Sequence, residues 1–377
     1  MGNQTSPSPI RLHAVLIKSL LLLLVFNLAF AAVNPLPCLG RLSVYNWLLP
    51  GRTRLPYGDR PDLAYNMSLY NLEAMFAAHE ISGIEKPTQE YRVVLIGDSS
   101  TWGFLLKQDE TLSAHLNRMG LTTTDKKQIR VFNLGYPTMS LTKDLLMLSR
   151  AMEYQPDLIV WLVTLESFPL SKQLDSPILQ NNPGPVRQLI KKYQLDIQEE
   201  DARFVDPSYM QQTIIGQRRA LADILRLQFY GVLWAATGLD QYIPEQHEPP
   251  QADFEVDVSF HDLTPTTLDP DQLAISNLSA GVKLANGVPV LFVNEPIYIS
   301  QGKNSDIRYN FFYPRWAYDQ YREMMLELTQ TNGWHYLDVW NLVPSNEFTN
   351  SAIHFSSVGE ALMAKELSSA ILKLANP

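Results

Sequence analysis

Apolar and polar positions fall in blocks along the chain. Val93, Val94, Leu95 and Ile96 form a short β-branched-rich run, the mark of a strand buried on both faces. The run stops at a polar corner, Gly97-Asp98-Ser99-Ser100-Thr101, whose last four residues are all good helix N-cap types. The same reading predicts strands over Tyr91–Ile96, Ile129–Asn133, Leu158–Val163, Val288–Val293 and Trp334–Val339. Helical spacing predicts helices at Thr111–Met119, Leu141–Tyr154, a segment ending near Leu284, Trp316–Thr331 and Ser357–Leu374. Strands alternating with helices of this length imply a doubly wound parallel sheet.

The alternation breaks near Phe168 and resumes near Leu273, so residues 168–272 read as an insertion. Its first half carries a helical pattern, with Leu221, Ile224, Leu225, Phe229, Val232 and Leu233 at recurring spacing and Gln228 interrupting. Its second half, Asp240 to Asp271, has nine acidic residues, no Lys or Arg, and many prolines. That composition predicts an exposed loop or lid rim, with a disordered connector as the other reading. Residues 34–90, rich in Pro, Tyr and Arg, read as a stalk plus a lead-in that packs on a domain spanning 91–377.

From Ala14 to Val33 the chain is almost wholly apolar. Twenty helical residues span about 30 Å, the thickness of a bilayer core. Lys18 and Arg11 suit a cytoplasmic end. The expectation is a retained single-pass anchor with the domain outside the cytoplasm. A cleaved signal peptide, with "AFA" before Ala32 as its cleavage site, is the alternative. "MGNQTS" at the start also fits an N-myristoylation pattern, with the apolar segment the stronger membrane signal.

Composition narrows the classes. The formal net charge is −9, which disfavours nucleic acid as a partner. Cys38 is the one cysteine, so no intrachain disulfide or cysteine cage forms, and it reads as structural or interfacial. The sequons at Asn66 and Asn277 matter only in a eukaryotic secretory pathway. His247 and His261, with Glu248 and Asp262, match no strong metal spacing and read as a solvated loop. His79, His115 and His335 read as surface or core residues. No Gly-rich phosphate loop with Lys is present, so a nucleotide binder fits poorly. No cofactor or metal is expected.

In an open α/β sheet, ligands bind beyond the carboxyl ends of the strands. The residues there are Asp98 and Ser99, then Asn133 to Tyr136, Thr164 to Ser167, and Asn294-Glu295-Pro296, with His354 just before the last helix. A serine nucleophile needs a base within hydrogen-bond reach and an oxyanion hole. Ser99 is the candidate nucleophile, His354 the base, and the N–H groups of Ser99 and Gly135 the oxyanion donors. For each there is a plainer reading: helix cap, packing histidine, turn glycine. Asp98, Asn294, Arg308 and Arg315 are the candidate substrate-binding groups, Asp98 with turn fixing as its other reading. The loop after the fourth strand is dense in rings: Tyr298, Tyr309, Phe311, Phe312, Tyr313 and Trp316. These read first as packing and second as a sugar-stacking surface.

"GDSS" after strand one, a glycine after strand two and a histidine before the C-terminal helix resemble the SGNH/GDSL hydrolase superfamily. The resemblance covers about 91–167 and 273–374. It implies a flavodoxin-like three-layer sandwich on a five-stranded parallel sheet, with Ser99 as nucleophile, Gly135 in the oxyanion hole and His354 as base. The chain departs from the pattern twice. Its third block reads "LVTLESF", with no Asn. The position three before His354 is Ser351, not Asp; Asn350, one residue earlier, can accept a hydrogen bond from the imidazole. A carboxylate such as Glu166 would repel an oxyanion unless protonated or turned away. With the anchor, these departures resemble the membrane-anchored SGNH-like proteins of alginate acetylation and teichoic-acid D-alanylation. That resemblance implies an esterase or O-acyltransferase acting on a cell-envelope or exported polysaccharide, beside a membrane-bound O-acyltransferase. The alternative is an inactive SGNH-like accessory protein that binds glycan or that acyltransferase.

Overall fold

The computed structural model describes residues 11–376 apart from 50, 59, 62, 84, 238–242, 245, 262, 264 and 266. The myristoylation pattern at 1–6 and Asp262 lie outside the described residues. Five strands form one sheet: β1 (Glu90–Ile96), β2 (Gln128–Asn133), β3 (Leu158–Val163), β4 (Val290–Asn294) and β5 (His335–Asp338). All pair in parallel, in the order β2-β1-β3-β4-β5. Each predicted strand is present, its ends within about two residues of expectation.

The two faces of the sheet separate by the period-two rule of strands. Val94, Ile96, Phe132, Ile159, Trp161 and Phe292 point to one side. Helices Leu141–Ala151, Ser276–Ala285 and Arg315–Asn332 cover it. Val93, Leu95, Val131, Val160 and Leu162 point to the other, covered by Leu112–Arg118 and Ser357–Ala375. Both sides are dry, which is why β1 and β3 read as continuous apolar runs rather than alternating ones.

The sheet winds outward from β1 in both directions. β2 lies on one side of β1 and β3 on the other, so the switch in winding direction falls between β1 and β3. A crevice opens at such a point beyond the carboxyl ends of the strands. Ser99 follows β1 directly.

The lead-in packs into the domain. Leu55, Met75, Phe76 and Ile81 are fully buried in the main core. The acidic half of the insertion is likewise docked in part: Phe254 and Phe260 are buried, and Ser300 Oγ donates to the Ala252 carbonyl. The sequon at Asn277 is sealed in the core, its Nδ2 donating to Thr142 Oγ1 at 2.8 Å. Cys38 is exposed.

Candidate active site

Gly97 bends the chain after β1, and Asp98 caps a single helical turn, Ser99–Trp102. The Asp98 carboxylate accepts from the Ser100 N–H at 2.8 Å. Three contacts hold this turn from outside. Lys143, fully buried, donates from Nζ to the Gly97 carbonyl at 2.7 Å. Arg54 donates to the Gly103 and Leu106 carbonyls and lies over the Trp102 ring at 4.3 Å. Trp102 Nε1 in turn donates to the Leu55 carbonyl at 2.8 Å. A helix this short has little stability of its own, so tertiary contacts fix it.

On the facing side, residues 348–355 form a closed loop. Phe348 bridges Phe355, and the Thr349 N–H donates to the His354 carbonyl at 2.8 Å. Ser356 then caps the last helix through Val358 and Gly359. This loop delivers His354 to the serine. The Ser99 hydroxyl donates to His354 Nε2 at 2.8 Å, and His354 Nδ1 donates to Asn350 Oδ1 at 2.8 Å. The carbonyl oxygen of Asn350 fixes the tautomer that leaves Nε2 free to accept a proton. The Phe104 ring stacks on the imidazole at 4.8 Å. Burial lowers the pKa of His354 from 6.5 to about 4, with no facing carboxylate to restore it.

Ser99, His354 and Asn350 therefore come together in one chain of hydrogen bonds, across 255 residues of sequence between serine and histidine. The other candidate groups do not join them. The Gly135 N–H donates to Asn133 Oδ1 at 3.0 Å, so it is engaged rather than open to an oxyanion. The glycine is needed for contact instead: a Cβ there would lie 2.6 Å from the Trp102 nitrogen. Asn294 is fully buried at the end of β4, donating to Asp338 and accepting from Tyr318. Arg308 turns inward and donates to the carbonyls of Asn310, Asp257, Ser259 and Phe311, pinning the acidic segment to the aromatic loop. Arg315 donates to the Ser305 carbonyl and stacks on Tyr309 at 4.2 Å. Asp98 is buried and spent on its cap, not open to a substrate. The aromatic loop packs: the Tyr313 hydroxyl meets Thr164 at 2.7 Å and Trp316 Nε1 donates to Val258.

The third-block carboxylate is held by partners of its own. Glu166 is ion-paired with Lys172 and lies 3.0 Å from His261 Nε2. His261 is thus not a solvated loop residue but a partner for a buried acid. Among the described residues, no cluster of three or more His, Cys, Asp or Glu forms a metal site.

One group beside Ser99 has no role assigned from the sequence. Glu295, at the tip of β4, is buried against Asp98 and Ser100, with no well-formed hydrogen bond from either carboxyl oxygen. Burial and the neighbouring Asp98 push its pKa well above the usual carboxylate value. Burial likewise pushes Asp98 up to about 6, offset in part by Lys143. Glu360, in the first turn of the last helix, is buried and raised too. The signal was present as a polar residue directly after an all-buried strand, but Asn294 beside it drew the reading.

No family model matches the chain, and no curated protein matches it. Several solved structures are similar. A carbohydrate acetylesterase family member from Sinorhizobium meliloti is 12% identical, with 75% of this chain and 99% of that one covered at a TM-score of 0.32. A lipase/acylhydrolase from Enterococcus faecalis is 14% identical, with 75% and 95% covered at a TM-score of 0.35. A member of the lipolytic protein G-D-S-L family from Veillonella parvula DSM 2008 is 9% identical, with 74% and 96% covered at a TM-score of 0.35. At that distance they carry no chemistry over, and the side-chain geometry stands by itself.

Proposed function

We propose that this protein is an SGNH-type serine esterase or O-acyltransferase, tethered to a membrane and working outside the cytoplasm on acyl esters of a cell-envelope or exported polysaccharide. The observation that carries the catalytic part is the 2.8 Å contact between the Ser99 hydroxyl and His354 Nε2, backed by Asn350 at 2.8 Å on the other nitrogen. Nucleophile, base and orienting group stand in the order that nucleophilic catalysis needs.

In the proposed reaction, Ser99 Oγ attacks the acyl carbonyl while His354 Nε2 takes the hydroxyl proton. The Ser99 N–H opens its helical turn and has no intrahelical acceptor, so it is available to the oxyanion. Collapse of the tetrahedral intermediate breaks the bond to the leaving alkoxide, which takes the proton from His354. The acyl group then sits on Ser99 as an ester. A second hydroxyl, from water or from a sugar, gives its proton to His354 and attacks that ester; the Ser99 Oγ–acyl bond then breaks, and Ser99 Oγ takes the proton from His354, restoring the starting site. Asn350 holds the imidazole in place but adds no charge, so the imidazolium formed in each step gains less than a carboxylate would give.

The tether rests on Leu12–Val33, a 22-residue helix of mean hydropathy 2.3 in its most apolar window. Two contacts favour a retained anchor over a cleaved signal. The Ile215 N–H donates to Asn27 Oδ1 at 3.1 Å, and the Tyr209 hydroxyl donates to the Leu28 carbonyl at 2.7 Å. Cleavage after the helix would remove both.

A non-catalytic accessory role keeps one observation in its favour: no side-chain amide stands at the third block, where Thr164 is tied to Tyr313. One experiment separates the two. The detergent-solubilised full chain is treated with a fluorophosphonate probe, with and without Ser99→Ala. Covalent labelling that vanishes in the variant is the expected result. No labelling of the wild-type chain between pH 5 and 9 would leave only the accessory role.

A further inference from the structure

The insertion helix Arg218–Thr237 has two apolar faces where a surface helix needs one. Ile224, Leu227 and Gly231 form the first. They pack near Met67 and Ala74, with Leu36 and Leu39 from the turn just past the anchor joining the same cluster. The second face points outward. Leu225 is 64% exposed, Phe229 75% and Leu233 55%. Ala222 and Ala236 extend the row, so the spacing along it is three, four, four and three residues. At 100° per residue these five positions fall within an arc of about 80°.

The surroundings say what covers this face. The segment leading into the helix is hydrogen-bonded to the anchor, through Ile215 to Asn27 and Tyr209 to Leu28. Met210 and Ile215 on that segment are 70% and 58% exposed. Asn27 lies six residues before the anchor's end at Val33, about 9 Å along a helix axis. That depth matches the roughly 5–10 Å to which interfacial helices sink their apolar faces. The exposed apolar surface is thus continuous with the anchor, at its outer end.

We propose that the bilayer itself covers this stripe: Arg218–Thr237 lies in the outer interface of the membrane as a second lipid contact, holding the domain down on the surface. The proposal rests on the anchor reading given above. A domain tethered by one helix alone would tumble at the end of it; a second contact fixes which face of the domain meets the lipid.

The test uses the full chain with Cys38→Ser and one new cysteine at a time, carrying an environment-sensitive nitrobenzoxadiazole label. The positions are Leu225→Cys and Phe229→Cys on the stripe, Leu22→Cys in the anchor, and Ser369→Cys on the exposed side of the last helix. Each is reconstituted into phosphatidylcholine–phosphatidylglycerol vesicles after circular dichroism shows an unchanged fold. Labels on the stripe are expected to shift to the blue and to be quenched by acyl-chain nitroxide but not by aqueous iodide, as at position 22. The label at 369 should behave oppositely. If the stripe labels are quenched by iodide while position 22 is quenched by lipid, the proposal fails and the anchor stands. If position 22 itself escapes lipid quenching, the anchor reading fails and takes the proposal with it. Stripe labels shielded from both quenchers would mean that a second copy, not lipid, covers the face, and would also overturn the proposal.

Discussion

Asn350 is the residue that most distinguishes this site from a charged triad. Its neutral amide orients His354 at 2.8 Å but supplies no counter-charge, and burial lowers the imidazole pKa from 6.5 to about 4. A general base must be neutral to accept a proton, so its pKa sets the acid limb of kcat/KM. The rate on a small neutral ester should therefore hold from neutral pH down and halve only near pH 4. Asn350→Asp would place a carboxylate against Nδ1 and favour the charged imidazole. The acid limb should then move to higher pH, and kcat should rise as the imidazolium is better stabilised. Asn350→Ala keeps the serine–histidine contact but frees the ring, and kcat should drop roughly 10- to 100-fold with little change in KM, less than the ~10⁴ lost when a triad Asp becomes Asn. An acid limb identical in wild type and Asn350→Asp would mean that His354 is not the base.

Among the elements, the single turn Ser99–Trp102 is the part with least stability of its own. It is held against β2 by the close approach of Gly135, where a Cβ would stand 2.6 Å from the Trp102 nitrogen and 2.9 Å from the Thr101 carbonyl carbon. Backbone cannot yield as a side chain can. Gly135→Ala should therefore push the nucleophile turn off its place, lowering stability by about 1–3 kcal/mol and cutting fluorophosphonate labelling with it. A variant that melts and labels like wild type would show that the turn tolerates the shift. The strands themselves were plain in the sequence because a strand buried on both faces leaves a continuous apolar run, as in Val93–Ile96 and Leu158–Val163. The contact between Ser99 and His354 was legible for a related reason: topology alone puts both at the same sheet edge. The polar groups around them were not. Asn294, Arg308 and Arg315 sit where a substrate would be met, yet their side chains fold back onto Asp338, Tyr318 and backbone carbonyls. Position along a strand says nothing about where a long side chain ends. That the lead-in packs was legible in its composition, but which residues it buries was not, because Leu55 and the Leu72–Ala77 turn follow no sustained period.

At the scale of the whole molecule, the buried acids under the nucleophile tie global stability to pH. Asp98, Glu295 and Glu360 are all buried, and each carries a pKa raised by burial, with Asp98 and Glu360 also raising Glu295. A carboxyl whose pKa is higher in the folded chain than in the unfolded one favours the fold while both states are protonated. That contribution is complete below the unfolded value and is lost as pH rises through the folded value. For Asp98 the loss sets in above its ordinary value of 3.8 and runs up to about 6. Glu295 extends the loss to higher pH, because one charge in the pair disfavours the second. Glu295→Gln keeps the shape, cannot ionise, and relieves Asp98 of its neighbour. Denaturant melts of the full chain in detergent should show wild type and variant nearly equal at pH 4. The variant should gain steadily as pH rises to 8, reaching a few kcal/mol. Parallel curves across that range would mean that water or a local opening already solvates the pair. The acids under Ser99 would then cost the fold nothing at neutral pH.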